Sequence, residues 1–231
     1  AKNLTFSIDL SGRVEKTETP GFSADATVAN TVPFQAIRAL PYLLTEYDGL
    51  TTSATSSHFN PLAASTLSGY NKTRVYALGA IMSMEYKAPF LEGLSVKGVV
   101  AYGYNHNMSK ALATPYLQSI ARLPDRITED LEYTKGYDLR GGGDYLGEGS
   151  SLYRDITSYL QLNYNNQFGD HTVGATAVGE IFRSNSNNIS ASGEGLDFYE
   201  LDELNQLRKI DKRMIGGSSS VSKRVGFVGR V

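Results

Sequence analysis

The sequence predicts an all-β protein: about six antiparallel strands of a transmembrane β-barrel, with long loops gathered on one side. Three observations point there. First, residues alternate by parity: Leu4, Phe6, Ile8, Leu10 and Val14 fall on one face, and Thr5, Ser7, Asp9, Ser11 and Arg13 on the other. Second, very short and very long connections alternate along the chain. Third, 231 residues carry 15 Tyr and no Trp, and nowhere is there a run of roughly 18 apolar residues to make a membrane helix. A barrel needs no such run, because only every second residue meets lipid. Tyr can set its ring in hydrocarbon and its hydroxyl in water, as an interfacial girdle requires.

The first strand is expected from about Asn3 to Thr17. The second runs about Lys72 to Lys87, with Tyr76, Leu78, Ala80, Met82, Met84 and Tyr86 on one face and Ser83 and Glu85 opposite. Pro89 and Gly93 then make a turn. The third strand, Leu94 to Asn107, sets Val96, Gly98, Val100, Tyr102 and Tyr104 against Lys97. The fourth, Leu152 to Asn166, sets Ile156, Leu160, Leu162 and Tyr164 against Thr157, Gln161 and Asn163. A tight turn, Gln167-Phe168-Gly169-Asp170, leads to the fifth, where Val173, Ala175, Ala177 and Ile181 oppose Thr172, Thr176 and Glu180. The sixth starts near Val221, with Val225, Phe227 and Val231 against Arg224 and Arg230. These strands exceed the roughly 9–11 residues that cross a bilayer, so they should project beyond it.

Residues 18–71, 108–151 and 183–220 read as long loops, and 88–93 and 167–170 as short turns. In barrels of the bacterial outer membrane short turns face the periplasm and long loops face outside. Within the loops, Phe34 to Leu44, bracketed by Pro33 and Pro41, suggests a short helix, and Leu112 to Leu123 reads the same way. Tyr199 to Met214 repeats Leu201, Leu204, Leu207 and Ile210 at three-residue spacing, which suggests an amphipathic helix. Gly141–Gly143 and Ser218–Ser220 read as flexible breaks.

A net charge of -2 argues against a nucleic-acid partner. With no Cys, disulfide and thiol chemistry are excluded. His58, His106 and His171 stand apart, with no carboxylate or histidine at ligand spacing. The acidic cluster Asp125, Glu129, Asp130 and Glu132 reads as a solvated face, with a calcium loop a distant second. No nucleophile or general-base constellation emerges, so neither an enzyme nor a cofactor is expected. No charged leader precedes the first strand, and the chain opens and closes in strand. Six strands also fall short of the eight or so that close a barrel. The expectation is therefore that residues 1–231 form one partial barrel domain.

Four strings resemble, in order, the mid-barrel region of the SusC/RagA family of TonB-linked outer-membrane transporters of Bacteroidetes. They are NPLAASTLSGYNKTR (60–74), MEYKAPFLEGLSVKGVVAYGYN (84–105), YLQLNYNNQFGDHTVGATAVGE (159–180) and SKRVGFVGRV (222–231). The resemblance implies a 22-stranded barrel with an internal plug, of which this chain supplies roughly a quarter. It implies a SusD-like surface lipoprotein as partner, TonB as energy source acting through an N-terminal part, and an oligosaccharide or peptide as substrate. It places the chain in the cell outer membrane.

Tyr137, Arg140 and Tyr145 are the substrate candidates, in the loop 108–151 with Tyr133 and Asp144. Aromatic faces stack on sugar rings, and Arg and Asp bond hydroxyls or peptide groups. The same tyrosines could equally pack the loop against its neighbours. Asp9, Arg13, Glu85, Lys97, Glu180 and Arg230 read first as charges that solvate a polar lumen or pair with a plug, and second as the lining of a substrate path. A competing reading is an extracellular β-sandwich with a binding or structural role. Sandwiches also alternate, but they interlock their inner faces and keep most loops short.

Overall fold

The computed structural model describes residues 3–21, 32–37, 39, 41, 43–54, 60–122, 131–138, 144–208 and 214–231. Of these, 73% lie in strands and 8% in helical turns, and every pairing in the main sheet is antiparallel. The fold is all-β. No helix among the described residues is long and apolar enough to cross a membrane.

Six long strands make one sheet: β1 (Leu4–Pro20), β4 (Gly69–Lys87), β5 (Leu94–Ala113), β8 (Tyr145–Phe168), β9 (His171–Gly193) and β10 (Met214–Arg230). They lie side by side in chain order, a plain up-and-down meander. β1 and β10 form its two edges, so the sheet does not close on itself. Four shorter strands form a second sheet: β2 (Glu46–Tyr47), β3 (Leu50–Ala54), β6 (Tyr116–Arg122) and β7 (Glu132–Asp138). Two short helices, α1 (Val32–Ile37) and α2 (Pro61–Leu67), fall in the first long connection. The Asn60 side chain caps α2, accepting from the Leu62 and Ala63 amides at 2.9 and 3.2 Å.

The meander puts both tight turns at one end of the sheet and all three long connections at the other. The turns also touch: the Asn165 N–H donates to the Gly93 carbonyl at 3.0 Å. Gly93 has φ 86°, and a Cβ there would lie 2.0 Å from the Asn165 carbonyl oxygen, so only glycine fits. In the second turn Gly169 has φ 63°, matching a two-residue hairpin with Gly at its first central position.

Register sorts the side chains. Phe6 pairs with Met84, Ile8 with Met82, Met82 with Val100, Gly98 with Leu160, and Leu162 with Ala177. Phe6, Ile8, Leu78, Met82, Val100, Leu160 and Ala177 therefore share one face, and Asp9, Glu85, Lys97 and Glu180 share the other. This is the division the alternation predicts.

The structure corrects several boundaries. The strands run on well past their apolar rows, so the long connections shrink to 21–68, 114–144 and 194–213. Past those rows both faces turn polar, as in Ser184 to Ser190, and hydropathy no longer marks a strand although the hydrogen-bond ladder continues. Ser218–Ser220, expected to be a flexible break, pairs with Asn188, Asn187 and Ser186 inside β10. Leu112 to Arg122 is not helical: it ends β5 and forms β6. Among the described residues the amphipathic pattern from Tyr199 yields a single 3-10 turn, Leu204–Gln206, and 209–213 lie outside the described residues. Between Phe34 and Leu44 the helix stops at Ile37. Gly141–Gly143, His58, Asp125, Glu129 and Asp130 lie outside the described residues.

At the long-connection end the tips of β5 and β8 and the last long connection build a small core. Leu112, Leu146, Leu196 and Leu207 are buried together, with Tyr70 and Leu204 packed on them. The second sheet docks the first two connections into one another, through the parallel pairing of β3 with β6. Tyr47 stacks on Tyr133 with ring centroids 4.2 Å apart.

Candidate functional site

The largest feature of the molecule is the apolar face of the main sheet, and among the described residues nothing covers it. Leu10 is 78% exposed, Phe227 83%, Ile181 60% and Leu160 54%. Burying one such side chain is worth about 1.5–3 kcal/mol. Leaving a dozen in water forgoes about 20 kcal/mol or more, beyond the about 5–15 kcal/mol by which a whole domain is stable. A hollow of about 970 Å³ lies over this face, lined by Phe6, Met82, Val100, Leu160, Ile181 and Phe227 among others. Its large hydrocarbon side chains suit acyl chains or another apolar surface.

The apolar rows end on a slant. Moving toward the long connections, the first Lys or Arg on this face is Lys16 on β1, Arg74 on β4, Arg154 on β8, Arg183 on β9 and Lys223 on β10, with His106 taking the corresponding place on β5 and Ser158 the one polar residue within the β8 row. Lys16 is in register with Arg74. Arg183 and Lys223 are in register with each other, and their row runs back through Ile156, Tyr102 and Ala80 to Leu10. Leu10 lies six residues below Lys16, a drop of about 20 Å along the strand, over five strand spacings of about 4.8 Å each. The edge of the apolar band thus crosses the strands at about 40° from the hydrogen-bonding direction. Tyr76 and Tyr104 flank His106 on this edge, with ring centroids 6.4 and 6.3 Å from it. Tyr86 and Tyr164 mark the opposite edge.

The other face is polar and carries charges of both signs. Arg224 pairs with Glu180 at 3.3 Å, and Arg13 with Glu15 at 3.7 Å. Toward the long connections it becomes a field of hydroxyls and amides. Ser151 Oγ donates to Asn188 Oδ1 at 2.5 Å, and Asn188 Nδ2 donates to Ser218 Oγ at 3.3 Å, joining three strands. A polar hollow of about 360 Å³ opens there, lined by Asn107, Ser109, Ser151, Asn188, Ser190 and Ser218. Such groups bond neutral, hydroxyl-bearing ligands.

The three substrate candidates do not converge. Tyr137 is 63% exposed on β7, in the small sheet. Tyr145 is half-buried at the start of β8, in the main sheet, opposite Ala113. Arg140 lies outside the described residues. Asp144 has a bracing role: one carboxylate oxygen accepts from the Gly195 and Leu196 amides at 2.8 and 2.5 Å. Tyr199, which sequence alone did not single out, sits close to both Tyr137 and Asp144. Burial, the Asp144 charge and Tyr137 together push its phenol pKa up.

A second cluster also emerges only in three dimensions. Lys110 Nζ is 3.0 Å from Glu148 and 3.2 Å from Asp202, and the Tyr70 hydroxyl donates to Asp202. The hydrogen bond from Tyr70, with that from Lys110, holds the Asp202 carboxyl below the usual carboxylate range. These residues are 132 positions apart at most, and no local spacing links them. Among the described residues no group of three His, Asp or Glu could hold a metal ion. No family model matches the sequence, and no curated protein aligns with it significantly.

Proposed function

We propose that this chain is a stretch of outer-membrane β-barrel wall from a TonB-linked transporter of the SusC/RagA kind. In this reading the apolar face meets lipid, and the polar face lines the passage through which oligosaccharides or peptides are imported. The observation that carries the proposal is the slanted edge of an uncovered apolar face. Barrel strands tilt by about 35–45° from the membrane normal, so a membrane surface must cut across their hydrogen-bonded rows at that angle. The sandwich reading requires a covering sheet, and the four-stranded sheet, built within the long connections, leaves the apolar face exposed.

The plain meander, the tight turns at one end and the long connections at the other support the same reading. Both edge strands are unpaired, which in lipid costs several kcal/mol per unsatisfied backbone group. The proposal therefore includes further strands that complete the wall to about 22, an internal plug, a SusD-like lipoprotein above the loops and TonB on the periplasmic side. The exposed Tyr137 on the loop sheet and the Asn/Ser hollow on the polar face are the surfaces offered to substrate. The test replaces Tyr137 and Tyr145 by Ala in the full-length transporter, and separately Asn188 by Leu. Growth on the limiting nutrient and co-purification of the lipoprotein are then measured. Wild-type values for all variants, with normal membrane levels, would reject these surfaces.

A further inference from the structure

We infer that the cations along the slanted edge, Lys16, Arg74, Arg154, Arg183 and Lys223, form a docking belt for phosphorylated lipid headgroups of the outer leaflet. The inference rests on the membrane reading above. It adds a ligand for the outside of the wall, away from any substrate path.

Sign and position carry the argument. Each of these cations shares its strand's parity with the apolar residues, so it belongs to the lipid face and not to the lumen. From the tight-turn end up to the belt, that face of the six strands bears no Asp or Glu. The polar face over the same rows mixes Asp9, Glu85 and Glu180 with Lys97 and Arg224. Pure charge of one sign on one face, set against mixed charge on the other, is what an anionic partner on that side selects.

The belt cations also lack counter-charges, although Arg74 Nη1 donates to the Tyr76 hydroxyl at 3.4 Å. Among the described residues none of the five has a carboxylate within 4.0 Å, whereas Arg13 and Arg224 on the polar face do. The two acids of the lipid face, Glu18 and Glu148, lie above the belt and are held by Lys72 at 3.4 Å and Lys110 at 3.0 Å. Lys16 and Arg74 also line a hollow of about 770 Å³ above the hydrocarbon rows, shared with Lys72 and Lys110 and with the Glu18 and Glu148 carboxylates those lysines hold. A headgroup whose acyl chains lie on the rows below reaches that height.

The arrangement also spaces the charges. Because the belt follows the tilt, all five cations lie at one depth in the membrane, although up to six residues separate their rows along the strands. Guanidinium groups at Arg74, Arg154 and Arg183 can grip phosphate through two parallel N–H donors, which lysine cannot.

The test uses the full-length barrel that carries this segment, purified in detergent and moved into phosphatidylcholine bilayer discs. Fluorescently labelled lipid A bearing two phosphates is titrated into the discs, beside the same lipid stripped of phosphate. The belt variant carries Lys16→Gln, Arg74→Gln, Arg154→Gln, Arg183→Gln and Lys223→Gln. A lumen variant carries Arg13→Gln, Arg224→Gln and Arg230→Gln. We expect wild type and lumen variant to bind the phosphorylated lipid alike, and the belt variant to bind about tenfold more weakly or worse. The stripped lipid should bind all three alike. Heat-modifiable gel mobility shows that each barrel is folded, and single Arg→Lys variants keep the charge should the fivefold variant misfold. Retained affinity in the folded belt variant, equal loss in the lumen variant, or full competition by inorganic phosphate would each overturn the belt and leave the membrane reading intact. A full-length protein that stays soluble without detergent would overturn both.

Discussion

At the scale of single residues, Leu160 and Gln161 test the two faces against each other. They are neighbours in β8, and Leu160 sits in the apolar row with Gly98 and Gly179 while Gln161 pairs with Lys97 and Val178. Leu160→Arg should cost about 2–4 kcal/mol of insertion stability near the bilayer midplane, and Gln161→Arg much less. Refolding into lipid vesicles across a urea series measures both, and equal losses would contradict the assignment. Asp202 makes a pH prediction. Tyr70 and Lys110 hold its folded carboxyl below the usual carboxylate range. The stability it contributes is therefore fully present above the unfolded value and is lost as pH falls through the folded one. Hydrogen-exchange protection of the Leu207 amide, which donates to the Leu204 carbonyl, should drop on that acid limb. Asp202→Asn should remove the drop, leaving a loop that is uniformly less protected.

At the scale of elements, the tight turn before β5 depends on one glycine. Gly93 combines φ 86° with a Cβ position 2.0 Å from a carbonyl oxygen of the neighbouring hairpin. Gly93→Ala should therefore cost about 1–3 kcal/mol through backbone strain, more once the turn shifts away from Asn165. Gly169→Ala should stay near the lower end, since nothing lies within 4 Å of a Cβ there. Thermal melting of the folded barrel separates the two. The loop core has a similar weak point at Leu146, which is fully buried among Leu112, Leu196 and Leu207. Leu146→Ala should cost about 2–5 kcal/mol, read as earlier proteolysis in 194–213 with the membrane strands unaffected. The last connection folds onto the sheet because Leu196 and Leu207 meet Leu112 of β5 and Leu146 of β8, although the spacing of Leu201, Leu204 and Leu207 reads as a helix.

For the whole molecule, the open edges and the uncovered face give one prediction. Expressed alone, residues 1–231 should not yield a soluble monomer with a cooperative unfolding transition, because β1 and β10 lack partners and the apolar face lacks a cover. Sedimentation without detergent is the measurement. A compact, cooperatively melting monomer would return the extracellular sandwich as the better reading.

Strand type, strand order and the division of faces were legible in the sequence, because a period of two records on the chain which face each residue occupies. That is why Phe6, Met82, Val100 and Leu160 fall together as expected. Where both faces turn polar, as from Ser184 to Ser190, that record ends, and only the hydrogen-bond ladder carried the strands on. The loop core of Leu112, Leu146, Leu196 and Leu207, the Lys110–Asp202–Tyr70 cluster and the slanted row of cations were decided by tertiary structure alone. Each depends on register between strands far apart in the chain. A row running from Lys16 to Lys223 has no local signature, since it takes one basic residue from each of five strands, aligned with the rest only by the tilt of the sheet.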